Sequence, residues 1–398
     1  MPENTKYQRR FEPYEKELIE IRRHLHRHPE LGLQEFETSA FIRDYLEKLG
    51  YRLTKVEPTG WIAEHPCQET AAFADKKQVV LRSEMDALPI QEQTGLPFAS
   101  EREGVMHACG HDGIVATALI LAKILAKEKE QFPVKVRFLF EPAEEIGEGA
   151  KRMLSAGALE PKPDAFLMFH YAVDMPFGMA VHEGQASAMI NGMEIRVHGK
   201  SSHWCQASQG IDSIYAASLV VQALHDLNET YQGKGPCLVG IGTFHGGEYS
   251  NIITDLVTLR GNIRAAYEED YQALDEKMQA VLQEIEKRTG TRIEIEYPKP
   301  AVLPFANDAS LTRIAAAAGK KVFGEHFILE DENQLFLSGD NAYRYFQKSR
   351  GLFSVFLAGI PGKTYPLHPK FQIDEAVLPY SLEALYEILA GISREEEN

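Results

Sequence analysis

The stretch Met106-His107-Ala108-Cys109-Gly110-His111-Asp112 places a thiol, an imidazole two positions on and a carboxylate within one turn, and Glu144-Glu145 adds two adjacent carboxylates further along. Zinc and similar divalent ions accept all three donor types, and a catalytic site leaves a coordination position open for water. Gly110 has no side chain, so the backbone can turn tightly enough to aim Cys109 and His111 at one centre. Asp112 stands where it could cap the helix that follows and orient a ligand from behind. Successive side chains diverge, so one of Glu144 and Glu145 can bind an ion while the other holds the attacking water. An ion lowers the pKa of its water and polarises a carbonyl; the second carboxylate takes the proton and hands it to a leaving nitrogen. Together these residues read as a hydrolytic metal centre. Two plainer readings stand beside it: a buried cysteine in an ordinary strand-to-helix turn, and a solvated acidic turn around Glu144, Glu145 and Glu148.

The elements around these residues form an alternating pattern. Glu15 to about Leu49 is helical in two parts, broken near His28-Pro29-Glu30-Leu31-Gly32, with Phe36, Ala40, Ile42, Tyr45, Leu46 and Leu49 at roughly helical spacing before Gly50. His24, His26 and His28 are two apart and so point in different directions on a helix, which makes them surface or packing side chains rather than a metal cluster. Gln78 to Leu81, Val134 to Phe140 and Ala165 to Phe169 read as strands and Ile114 to Ile124 as a buried helix, an α/β layered arrangement with a central mixed sheet. Ligands of open α/β sheets lie beyond the carboxyl ends of the strands. Glu144 and Glu145 follow one strand, and His170 is expected to end the next.

After about Ser187 the order changes to strand (Met193 to His198), amphipathic helix (Ile214 to Leu227), two strands (Cys237 to Phe244, Ile252 to Ile263), long helix (Asp270 to Arg288) and strand (Thr291 to Tyr297). This is the β-α-β-β-α-β plan of a ferredoxin-like α+β domain. Pro298-Lys299-Pro300 marks a return linker. The expected division is therefore a catalytic domain over residues 1–186 and 301–398, interrupted by an inserted α+β domain over 187–300. A chain of 398 residues with 44% hydrophobic residues supports two cores. Its 42 basic and 58 acidic residues give a formal charge of -16, which opposes binding to nucleic acid or an anionic membrane. No apolar run approaches the roughly 18–20 residues of a membrane span, and Met1-Pro2-Glu3-Asn4-Thr5-Lys6 lacks the apolar core of a signal peptide. A cytoplasmic location is expected. Cys67, Cys109, Cys205 and Cys237 are too sparse for a disulfide framework, which leaves Cys109 available to an ion.

Five segments occur in the order of the amidohydrolase subfamily of di-metal aminoacylases and carboxypeptidases: Leu25-His26-Arg27-His28-Pro29-Glu30-Leu31, Arg82-Ser83-Glu84-Met85-Asp86-Ala87-Leu88-Pro89, His107 to Gly113, Pro142-Ala143-Glu144-Glu145 and Gly199-Lys200-Ser201-Ser202-His203. Over nearly its whole length the chain resembles auxin-conjugate hydrolases, hippurate hydrolases and N-acetyl-diaminopimelate deacetylases. The resemblance implies Cys109, His111, Glu145, His170 and His368 as metal ligands, Glu144 as general base, and Asp86 and Asp112 as residues supporting the ligands. It implies that His203, from an inserted lid and dimerisation domain, stabilises the tetrahedral oxyanion, commonly in the partner subunit. Asn251 and Arg264 match polar groups near the substrate, the guanidinium being suited to a free carboxylate. Two divalent ions, zinc or manganese with cobalt or nickel as substitutes, and a homodimer or higher homo-oligomer follow from the same likeness. The implied reaction is amide hydrolysis of N-acyl amino acids or small peptide-like conjugates; a dipeptidase or aminopeptidase, or a catalytically weakened binding homologue, are the alternatives. The chain also departs from the pattern. His368 directly precedes Pro369, where the family has one residue between; Ser201-Ser202 and Trp204-Cys205 replace small residues around His203; Ile114 stands where histidine is common; and Gly339-Asp340-Asn341 replaces Glu-Asp-Phe.

Overall fold

The computed structural model describes residues 7–330, 337–363 and 365–395. In chain order its main elements begin with α1 (Glu15–Arg27), α2 (Phe36–Lys48), β1 (Arg52–Val56), β2 (Gly60–Glu64) and β3 (Gln78–Glu84). Next come α3 (His111–Glu128), β4 (Lys135–Glu141), α4 (Gly149–Ser155), β5 (Ala165–Pro176) and β6 (Gly178–His182). A second group comprises β7 (Met189–His198), β8 (Ser202–His203), α5 (Ser213–Thr230), β9 (Cys237–Gly246), β10 (Ile252–Ile253), β11 (Leu256–Ala265), α6 (Glu268–Thr289) and β12 (Arg292–Glu296). The last are α7 (Ala309–Phe323), β13 (Phe327–Glu330), α8 (Tyr343–Phe346), β14 (Gly351–Gly359) and α9 (Leu378–Ile392). They form two compact units: Met1–Ala186 with Ala306–Asp331 and Asn341–Asn398, and Ser187–Phe305 with Glu332–Asp340.

The first unit is built on an eight-stranded mixed sheet of order β1-β2-β4-β3-β5-β14-β6-β13. The strands β4, β3, β5 and β14 run parallel in its middle. Such strands are covered on both faces, which is why Gln78–Glu84 and Lys135–Glu141 are buried along almost their whole length instead of alternating. Most of α3 is buried too, in keeping with its richness in Ile, Leu and Ala. One core joins its Ile114, Leu119 and Leu121 to Leu18 and Leu25 of α1 and to Leu382, Leu385 and Leu389 of α9. His170 does not end its strand: β5 continues to Pro176, because β14 stays paired with it through Tyr171 and Ala172.

The second unit has a four-stranded sheet of order β12-β7-β11-β9, antiparallel throughout, with α5 and α6 packed into its core through Val220, Leu224, Leu274 and Met278. The apolar stretch Ile252 to Ile263 divides at Thr254-Asp255. Its first piece, β10, pairs with β8, and the second, β11, lies between β7 and β9. Among the described residues no helix is long and apolar enough to cross a membrane.

Candidate metal centre

Gly110 occupies the left-handed region (φ 94°) directly before α3, and this turn sends the two side chains on either side of it to one place. Cys109, His111 and His170 each bring a ligand atom within 4.8 Å of the others, and so do His111, Glu144 and Glu145. His111 belongs to both groups. The Cys109 Sγ lies 3.4 Å from His170 Nε2.

Each imidazole is held by its other nitrogen. His111 Nδ1 donates to the Asp86 carbonyl (2.8 Å) and His170 Nδ1 donates to the Tyr171 carbonyl (3.0 Å). A carbonyl can only accept, so each ring, when neutral, carries its proton on Nδ1 and turns the Nε2 lone pair toward the other ligand atoms. The Asp86 carboxylate spans both halves of the site: Oδ1 lies 3.5 Å from His111 Nδ1, and Oδ2 accepts the Glu145 N–H (3.0 Å). One residue thereby fixes a histidine and a glutamate from separate loops.

Burial opposes charge on this group of residues. It pushes the Cys109 thiol up to about 12, although His111 pulls the other way. Burial likewise disfavours protonated His111, but Cys109 and Asp86 outweigh it and raise the imidazole well above its ordinary value. Asp86 is held below the usual carboxylate range against its burial, by His111 and by the backbone N–H groups of Glu145 and Glu144. These donors, a thiol, two imidazole nitrogens and two carboxylates, fit a pair of divalent ions. An ion would also displace the thiol proton that burial otherwise retains.

The Glu144-Glu145 turn is set by residues for which the sequence suggests no such role. Ala143 adopts φ 56°, unfavourable for a residue with a Cβ. Its N–H is taken by Glu35 Oε1 (2.8 Å), whose other oxygen accepts the Thr59 hydroxyl (2.6 Å). Gly32 passes so near that a Cβ there would meet the Ala143 Cα at 3.0 Å and Asp86 Oδ2 at 3.3 Å. From the other side, Asn341 Nδ2 donates to the Glu144 carbonyl (3.4 Å) while its Oδ1 accepts from Arg82 (3.1 Å). Arg82 is buried between Glu84 and Glu141, and Tyr345 donates to Glu141 (2.6 Å). The asparagine that departs from the family pattern thus ties a buried ion network to the turn.

Asp112 does not cap α3. It lies inside the first turn, and Arg22 (2.8 Å) and His26 (2.8 Å) of α1 hold its carboxyl far below the usual range in spite of burial. Arg22 and His26 are one helical turn apart on the buried stripe of Leu18, Ile21 and Leu25. That spacing was the available sign that α1 carries charge into the core. Among the described residues, none of His24, His26 and His28 joins a group able to hold an ion. His107 is fully buried with both ring nitrogens lacking a hydrogen-bond partner, and burial lowers it to about 4.

His368 lies outside both groups of converging ligands among the described residues. It is exposed, stacks on Tyr365 at 5.0 Å and accepts the Lys370 N–H at Nδ1 (3.1 Å). Its loop is anchored close to the cysteine turn, since a Cβ at Gly110 would come 3.7 Å from the ring of Phe371.

Three residues read from the sequence belong to the second unit. His203 is exposed, its Nδ1 accepting the Cys205 N–H (3.2 Å), and the Asn251 amide lies 3.4 Å from its Nε2. Arg264, on β11, donates to Asn262 (2.9 Å) and to the Leu337 carbonyl (2.8 Å), which fixes the plane of its guanidinium.

Residues 80–391 match peptidase family M20/M25/M40. The chain belongs to this family. It is 32% identical to an N-acetyl-L-cysteine deacetylase of Bacillus subtilis, over 94% of this chain and 87% of that protein. It is 34% identical to the hippurate hydrolase of Campylobacter jejuni, over 78% and 80% of the two chains. A crystal structure of a dinuclear metal-binding M20 peptidase from Bacillus subtilis superposes with a TM-score of 0.78 at 31% identity, covering 96% of this chain and 99% of that one. As an M20 family member the chain is a hydrolase of the metal-dependent amidohydrolase and peptidase class, and the two groups sharing His111 are its candidate dinuclear centre.

Proposed function

We propose that this protein hydrolyses the amide bond of N-acyl amino acids or small peptide-like conjugates. The observation that carries the reading is the convergence of Cys109, His111 and His170 with Glu144 and Glu145 through one shared imidazole. Cys109, His111, Glu145 and His170 would hold the two ions, and His368 would complete the set by its Nε2. Zinc or manganese suits this mixture of sulfur, nitrogen and oxygen, with cobalt or nickel able to substitute. When bound, the ions supply a water of lowered pKa and polarise the scissile carbonyl.

The remaining steps belong to the side chains. Glu144 takes the proton of the attacking water and delivers it to the leaving nitrogen. His203 accepts at Nδ1, so its neutral ring carries the proton on Nε2 and can donate to the developing oxyanion. Arg264, with its guanidinium plane fixed, and Asn251 receive the free carboxylate of the amino acid. The protein acts in the cytoplasm as a homodimer. The edge strand β9 and the exposed Trp204, Tyr215, Phe244 and Tyr249 of the second unit support that assembly.

Turnover on a panel of N-acetyl amino acids, N-benzoyl amino acids and free dipeptides tests the reading. Preferred cleavage of the acylated substrates is expected. Cleavage of the free dipeptides alone would replace it with a dipeptidase.

A further inference from the structure

In the second unit Cys205 clusters with His203 and Asn251, and the hydrolytic reaction gives the thiol no role. Cys205 Sγ lies 3.0 Å from His203 Nδ1, and the Asn251 amide stands 3.4 Å from the opposite ring nitrogen. The arrangement is fixed by backbone. His203 pairs with Ile252 across β8 and β10, the Trp204 N–H donates to the Asn251 carbonyl (3.1 Å), and the His203 ring caps the short helical turn Trp204–Gln209. A backbone N–H can only donate, so the Cys205 N–H at Nδ1 identifies that nitrogen as a lone pair, placed against a thiol. A thiol beside a basic nitrogen is the arrangement of a nucleophilic cysteine. Cys205 is exposed, whereas Cys67, Cys109 and Cys237 are each partly covered.

We propose that Cys205 is a thiol modification site activated by His203, that it takes low-molecular-weight disulfides, and that the adduct stops turnover. His203 Nδ1 takes the thiol proton and Sγ attacks one sulfur of the disulfide. The S–S bond breaks, the mixed disulfide forms on Cys205, and the departing thiolate takes up the proton. Cys205 is oxidised, the released half of the reagent is reduced, and excess thiol reverses the exchange. The effect on turnover rests on the proposed role of His203 at the oxyanion: the adduct adds bulk against the Nδ1 side of its ring and removes the thiol neighbour that the ring has in the free protein.

The test incubates the full-length, metal-loaded protein with oxidised glutathione and follows adducts by peptide mass mapping beside turnover. Cys205 is expected to react at least about tenfold faster than Cys67 or Cys237, and about tenfold faster than Cys205 of the His203→Gln variant. His203→Asn, checked for folding by circular dichroism, should show the same slow rate. Turnover of the wild type should fall with the adduct and return with dithiothreitol, while Cys205→Ser keeps its own rate through the treatment. Equal rates at the three cysteines, or a Cys205 rate unchanged by loss of the imidazole, would overturn the pair. A full adduct with turnover retained would overturn its link to catalysis. Failure of the amide-hydrolase reading has a separate signature, since untreated protein would then turn over none of the acylated amino acids while the thiol rates stayed measurable.

Discussion

Asp86 shows how few residues organise the centre. Its carbonyl sets the tautomer of His111 and its carboxylate holds the Glu145 N–H, so Asp86→Ala should lower metal content although no ligand is removed. Elemental analysis checks this, and a content equal to wild type would contradict it; roughly 10- to 100-fold weaker binding is the expected size. Cys109→Ser should weaken binding as well, by replacing a thiolate with a poor ligand. His368→Ala separates two accounts of its loop: reduced metal content supports a ligand, and unchanged content with unchanged rate removes it from the set. The Cys109 and His111 turn and the paired glutamates were legible because donor type and spacing state the chemistry directly. Glu35 and Asn341 were not, since each acts by a hydrogen bond to backbone more than a hundred residues away in sequence, where side-chain type carries no signal.

Helix α1 serves the site through charge as well as packing. Arg22 and His26 reach Asp112 at the start of α3, and Arg22 also meets Glu375 (3.0 Å). Arg22 and Asp112 are both buried, so Arg22→Ala strands a carboxylate in the core and should cost about 3–5 kcal/mol in urea unfolding; a loss under 1 kcal/mol would show that His26 alone suffices to hold Asp112. Past the end of α9, Glu395 is bound by Arg350, Ser310 and Lys77. Arg350 chiefly holds its carboxyl down at about 2, below the ordinary 4.5. A depressed acid stabilises the fold above its unfolded pKa and loses that contribution as pH falls toward the folded value. Glu395→Gln should therefore be about 1–2 kcal/mol less stable at pH 7, with the deficit shrinking between pH 4.5 and 2; a deficit independent of pH would exclude the ion pair as its source. In the first unit α1 to α3 and the central strands β3, β4 and β5 were readable from their residue patterns. The continuation of β5 beyond His170 was not, because it depends on pairing with β14 from the far end of the chain.

The chain's order of elements announced both sheets, one parallel-centred and one of β-α-β-β-α-β order, since alternation of strand and helix patterns survives in sequence even where exact ends do not. Assembly is a property of surface that periodicity does not report. Light scattering is expected to find a dimer, and Phe244→Glu, at an exposed apolar residue of the edge strand β9, should shift it toward monomer; a monomeric wild type would contradict the homodimer. The central claim is that Glu144 is the base of an amide hydrolysis carried out where Cys109, His111, Glu145 and His170 converge. It is tested most directly by measuring metal content and kcat together, on the best N-acyl amino acid, for wild type and Glu144→Gln. The account predicts equal metal content with kcat lowered roughly 10²- to 10⁴-fold, and equal metal content with wild-type kcat would contradict it.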